Sequence, residues 1–199
     1  MSKRLLHRYM KTIKDMEDKK YLFSMILYLI APTIEGVKPS TIVTLPTSGR
    51  NLSKLWELYK EDFLNIYNIN YIKMKDTDKA TIILFYNSDS LKETLSDLEN
   101  INFLEQFGYK NKININESIL HLKSRFKNIC PHEIGIFLGI PLEEVKVFME
   151  DPKSKCIFCG YWKVYKDIKK AKKQFYIYDR ARTHIILDVL KHSENSIII

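Results

Sequence analysis

Residues 71–86 read YIKMKDTDKATIILFY, and this stretch decides the fold. Tyr71 to Lys75 and Ala80 to Tyr86 carry the β-branched and aromatic residues that suit a pleated, partly buried surface. Asp76-Thr77-Asp78-Lys79 between them is turn chemistry, so the simplest reading is a β-hairpin. Immediately upstream, Ser53 to Tyr67 returns to helical spacing, with Leu55, Trp56, Tyr59, Phe63 and Ile66 on one face. Before that helix, Thr41 to Leu45 (TIVTL) is a third strand candidate, bounded by Gly36, Pro39, Pro46 and Gly49.

Further outward the pattern is helical. Leu22 to Ile30 is apolar on all sides and predicts a core helix, stopped by Ala31-Pro32 because proline disfavours a helical residue before it. Residues 1–20 predict a charged helix through Leu5, Leu6, Tyr9, Ile13 and Met16. From Ser88 onward helices run to the end of the chain. Asp89 or Ser90 caps Leu91 to Leu98, and Phe103 to Phe107 stops at Gly108. Asn116 with Glu117 opens a helix through Phe126, and Asp167 to Leu190 forms a long last helix. The expectation is an α+β fold: a small, mainly antiparallel three-stranded sheet covered by helices, with a helical C-terminal half. A charged extension (1–20), one domain (21–192) and a tail (193–199) complete the expected organisation.

Composition bounds the class. The 199 residues suit one domain with a core of its own, and 45% hydrophobic and 28% charged content are ordinary for a globular chain. The longest apolar run, residues 21–32, falls short of the roughly 20 residues a membrane span needs. It begins behind a mixed-charge stretch and lacks a small-residue cleavage site, so no secretory signal is expected. A cytoplasmic location follows, in which three cysteines are thiols or metal ligands rather than a disulfide framework. The net charge of +8 concentrates in residues 3–20 and 153–173. A solvated helix face is the plain reading of both stretches, and contact with nucleic acid is the sharper one.

Candidate chemistry gathers in residues 130–165, CPHEIGIFLGIPLEEVKVFMEDPKSKCIFCGYWKVY, which contain every cysteine of the chain. Cys130, His132, Cys156 and Cys159 spell C-x-H followed by C-x-x-C, a donor set suited to tetrahedral zinc or to iron. The same C-x-x-C could act as a redox dithiol, although no thioredoxin-like βαβ unit precedes it. A zinc deaminase is excluded, because His132 and Glu133 are adjacent and no proline precedes Cys156. His132 and Glu133 form a candidate acid–base pair, against which Glu133 simply complements a helix dipole behind Pro131. Trp162, Lys163 and Tyr165 form a candidate ligand-binding set, with rings to stack on a planar group and a cation to meet an anion. Residues 133–149 place Gly139 and apolar Ile134, Leu138, Ile140, Val145 and Phe148 as a helix-turn-helix-like hairpin would. Its second helix, however, offers Glu143 and Glu144 where a DNA reader needs donors. No glycine-rich phosphate loop or G-x-S-x-G elbow is present.

The segments LIAPTIEGVKP (29–39), ILFYNSDSL (83–91), FGY (107–109), PHEIGIFLGIPLEEV (131–145) and CGYWKVYKDIKKAKKQFYIY (159–178), in this order, resemble the bacterial family called domain of unknown function 3793, common in low-GC anaerobes. His132, Glu133, Gly135, Gly139, Pro141, Gly160, Trp162, Lys163 and Tyr165 match its pattern. Members usually look like HCAPT where this chain has Leu29-Ile30-Ala31-Pro32-Thr33, so no catalytic His or Cys carries over to that position. The resemblance implies no established activity. The expected function is therefore a non-catalytic accessory protein or a ligand- or metal-binding module of anaerobic bacteria. The alternatives are a nucleic-acid-associated regulator using the basic stretches and the hairpin, and an enzyme using His132 and Glu133.

Overall fold

The structure is a computed structural model that describes residues 2–111, 114–126 and 130–195. Helix α1 (Lys3–Lys14) leads into α2 (Asp18–Ile34), followed by strand β1 (Ser40–Pro46), α3 (Leu52–Tyr67), β2 (Asn70–Asp76) and β3 (Ala80–Tyr86). Helices α4 (Ser88–Ser96), α5 (Leu98–Glu105), α6 (Ile115–Arg125), α7 (Ile134–Phe137) and α8 (Leu142–Glu150) come next. A miniature hairpin, β4 (Phe158–Cys159) and β5 (Lys163–Val164), precedes the long α9 (Ile168–Asn195). The fold is α+β, as the sequence predicts.

The three strands form an antiparallel sheet in the order β1-β3-β2. Because β3 is central, both of its faces must be apolar, and ATIILFY supplies that without alternation. Ile83 and Phe85 face one way, into a cluster with Ile26, Trp56 and Phe63 from α2 and α3. Leu84 faces the other way, against Leu91, Leu122 and Phe137 from α4, α6 and α7. The sheet is thus the middle of three layers. A bulge between Lys73 and Lys75 re-aims β2 at Met74, which is buried in the second cluster.

Four expectations need correction. The helix of residues 22–30 does not stop at Ala31-Pro32 but runs through Pro32 to Ile34. Near a helix C-terminus proline forfeits one backbone bond, and here the turn is closed around it by Glu35 N–H on Ala31 O and by Val37 and Lys38 N–H on Pro32 O. The cap of α4 is Asn87, which accepts from Ser90 N–H, not Asp89 or Ser90. The α6 cap is Asn114, which accepts from Glu117 N–H, so the helix opens ahead of Asn116. Finally, the C-terminal half is not wholly helical, since β4 pairs with β5 through Phe158↔Val164 and Cys159↔Lys163. Strands of two residues are too short to leave a period in the sequence.

Helix α1 lays Tyr9 and Ile13 into a separate cluster with Tyr28, Ile186 and Leu190, which ties it to α2 and α9. Tyr9 Oη donates to Ser24 O at 2.6 Å. Residues 193–195 of the expected tail continue α9, and 196–199 lie outside the described residues. No helix among the described residues is long and apolar enough to cross a membrane.

Candidate functional site

Pro131 to Phe137 turns tightly into α7, a single helical turn that Gly139 ends with φ +74°. A left-handed backbone at that point suits glycine, and a Cβ there would also meet Pro39 Cδ at 2.7 Å. The chain reverses into α8, whose Val145 approaches so closely that a Cβ on Gly135 would meet Val145 Cγ2 at 2.7 Å. This is the helix-turn-helix-like hairpin expected from residues 133–149, though its first helix is only four residues long.

The β4–β5 hairpin packs on α9 through Trp162 and Val164, against Ala171, Phe175 and Tyr178. Trp162 meets Phe175 edge-on, with ring centroids 4.4 Å apart. Gly160 at the turn lies against that ring so closely that a Cβ would overlap Phe175 Cε2 and Cδ2. The α8 helix and this hairpin are joined by Glu144. Its carboxylate is buried and accepts N–H hydrogen bonds from Tyr165 at 2.6 Å, Lys166 at 3.3 Å and Asp167 at 3.4 Å. A buried carboxylate that accepts from several backbone donors fixes their position.

Between the two hairpins lies a cavity of about 460 Å³. Ile134, Leu138, Ile140, Val145, Phe148 and the Trp162 ring make its apolar wall, while Cys130, His132, Glu144 and Lys163 contribute the polar groups. His132 is exposed and stands edge-on to Phe148, with centroids 5.2 Å apart. Lys163 Nζ lies 5.5 Å from the Phe148 ring centre and donates to Pro152 O at 3.0 Å. The indole N–H of Trp162 is buried and has no hydrogen-bond partner. Burial, and secondarily the Glu133 carboxylate, push the Cys130 thiol above its ordinary pKa.

The structure sorts the candidate residues into separate places. Trp162 and Lys163 share the cavity wall, whereas Tyr165 is outside it, half-buried, with an unpartnered hydroxyl. Cys130 and His132 sit at the cavity, while Cys156 and Cys159 face one another on the far hairpin with sulfurs 2.6 Å apart. Among the described residues no group of three or more His, Cys, Asp or Glu side chains is arranged to hold a metal. The four ligands expected for zinc or iron are therefore not gathered around one point.

The His132 and Glu133 side chains likewise diverge. Glu133 is buried and paired with Arg125 Nε, whereas His132 opens to solvent. On α8, Glu143 and Glu150 are exposed, and Lys146 is 3.3 Å from Glu143. Such a surface repels phosphate rather than reading a groove. Lys169, Lys170, Lys172 and Lys173 of α9 are all exposed.

Sequence reasoning does not single out Glu144 as a clamp, nor Arg125 and Lys38. Lys38 Nζ donates to Ser40 O at 2.5 Å, and burial, with Arg182 nearby, pushes its pKa down to about 7. Arg182 itself lies over the Tyr28 and Tyr161 rings. No local spacing marks Glu144 or Arg182, since their partners are remote in the chain.

No curated protein and no solved structure matches the chain. A family model described as "Protein of unknown function (DUF3793)" matches residues 26–199, a span that includes both hairpins, the cavity between them and the Glu144 clamp. The chain belongs to the DUF3793 family.

Proposed function

We propose that the protein is a small-molecule binding module whose ligand occupies the cavity between the 131–149 and 158–164 hairpins. One observation carries this reading: a pre-formed, mostly apolar cavity of about 460 Å³ with Trp162 and Lys163 side by side on its wall. Ligand sites are typically apolar clefts of this size with a few oriented polar groups. Lys163 and His132 favour an anionic group, since the Glu144 carboxylate that also lines the cavity is engaged by three backbone N–H groups, while Phe148, Ile140 and Leu138 favour an apolar or planar body. The chemical class is therefore a compact apolar or aromatic acid.

The probe is anilinonaphthalene sulfonate, which combines an aromatic body with one anionic group. Fluorescence titration should give saturable one-site binding, weakened about tenfold by Lys163→Met, the scale of one charge-assisted hydrogen bond. His132→Ala should weaken it less. Absence of saturable binding, or binding indifferent to both substitutions, would overturn the reading.

A further inference from the structure

The thiols of Cys156 and Cys159 do not line the proposed ligand cavity, although Cys159 is paired across the β4–β5 ladder with Lys163, which does. Cys156 Sγ and Cys159 Sγ are 2.6 Å apart, little beyond the roughly 2.05 Å of a disulfide bond. Their separation is held by the backbone on both sides. Ile157 N–H bonds Val164 O at 2.9 Å, and Gly160 N–H bonds Trp162 O at 3.1 Å. The Phe175 ring under Gly160 fixes the turn from below. The tip is also open: Cys159 is exposed, and Ile157 and Phe158 between the two thiols are 57% and 36% exposed. By contrast Cys130 lines the cavity, and no third ligand joins the pair among the described residues. The hydrogen bond shared with Cys156 raises the Cys159 thiol above its ordinary pKa, and Lys163, opposite it across the ladder, works the other way by favouring the thiolate.

We infer that Cys156 and Cys159 form a reversible dithiol–disulfide couple that exchanges with small disulfides or with a cysteine pair of another protein. The exposed Cys159 thiolate attacks one sulfur of a disulfide RSSR, forming a mixed disulfide and releasing RS⁻. The Cys156 thiolate then attacks Cys159 Sγ, closing the Cys156–Cys159 bond and releasing the second RS⁻. Two protons pass to the released thiolates, and two electrons pass from the protein thiols to RSSR, which becomes two RSH. The reverse sequence reduces the pair. Apposed thiols with open access are the setting in which such exchange is fast.

The test equilibrates the full chain in buffers of reduced and oxidised glutathione, quenches with an alkylating agent and maps the cysteines by peptide mass spectrometry. The expected result is an intramolecular Cys156–Cys159 link, about 2 Da lighter than the dithiol and restored by excess reduced glutathione, with Cys130 outside the link. Cys156→Ser should trap Cys159 as a mixed glutathione disulfide. Three outcomes overturn the inference: independent alkylation of both thiols in oxidised buffer, a link that uses Cys130 or a second molecule, and thiols of purified protein masked by a bound metal until a chelator is added. Because the readout is covalent, it stands or falls independently of ligand binding in the cavity.

Discussion

The carboxylate of Glu144, at the start of α8, accepts the backbone N–H of Tyr165 at 2.6 Å and so ties the helical hairpin to the strand that forms the opposite cavity wall. Lys166 and Asp167 N–H add longer bonds to the same carboxylate. Removing it leaves three backbone donors without their acceptor. Glu144→Ala should cost about 2–3 kcal/mol in urea unfolding, the scale of lost charge-assisted hydrogen bonds. It should also abolish saturable probe binding. A loss below about 0.5 kcal/mol, the level of an ordinary surface change, would show that the clamp does not hold the two hairpins together.

Gly160 tests the other end of the same wall. A Cβ there overlaps Phe175 Cε2, so Gly160→Ala must push the hairpin off α9 or displace a ring buried against Trp162. A cost of about 1–3 kcal/mol is expected, as for other overpacked sites. Gly160 has no positive φ, unlike Gly49 at 65°, so the cost measures the clash with the ring alone. A cost at Gly160 below about 0.5 kcal/mol, the level of an ordinary surface change, would show that close packing on Phe175 is not what positions the hairpin.

Much of the architecture is legible in the sequence because it is local or periodic. Ala80 to Tyr86 is strand in both sequence and structure, and the helix of residues 53–67 differs from α3 by a single residue. The failures have physical reasons. Pro32 reads as a stop, yet the end of a helix tolerates a proline when the following amides close the turn. The β4–β5 ladder is invisible because two-residue strands carry no alternation. At the site, Trp162 and Lys163 are recognisable as a pair and share the cavity wall. Glu144 reads only as a charge that repels phosphate, because the amides it meets are more than twenty residues away.

Lys38 predicts a pH dependence. Its folded pKa is about 7 against an ordinary value of 10.5, chiefly through burial and secondarily through repulsion from Arg182. Between those values the unfolded chain binds the extra proton, so stability rises with pH over this window. Below pH 7 both states are charged and the penalty is fully present. Melting temperatures of the protein and Lys38→Met, measured from about pH 6.5 to about pH 9, should differ by an amount that grows in favour of the parent as pH rises. A constant difference would contradict the assignment.

Arg125 and Glu133 test a buried carboxylate with one cationic partner. Arg125 is 35% exposed in its side chain and Glu133 only 2%, so the cost of separating them falls mainly on the glutamate. Arg125→Met should destabilise by about 3 kcal/mol, the lower end for breaking a buried pair, since one partner reaches solvent. Adding Glu133→Gln to Arg125→Met should recover part of the loss. A double variant no more stable than Arg125→Met would show that the unpaired charge is not the source of the cost.

The most direct measurement of the ligand-binding account uses the two tryptophans as internal reporters. Trp56 is wholly buried in the cluster beneath the sheet, whereas Trp162 stands on the cavity wall. In a nitrogen–proton correlation spectrum of labelled protein, titrated with anilinonaphthalene sulfonate, the Trp162 indole cross-peak should shift with a saturating curve while that of Trp56 stays in place. A stationary Trp162 signal under saturating probe, or a shift confined to Trp56, would contradict the placement of the ligand between the two hairpins.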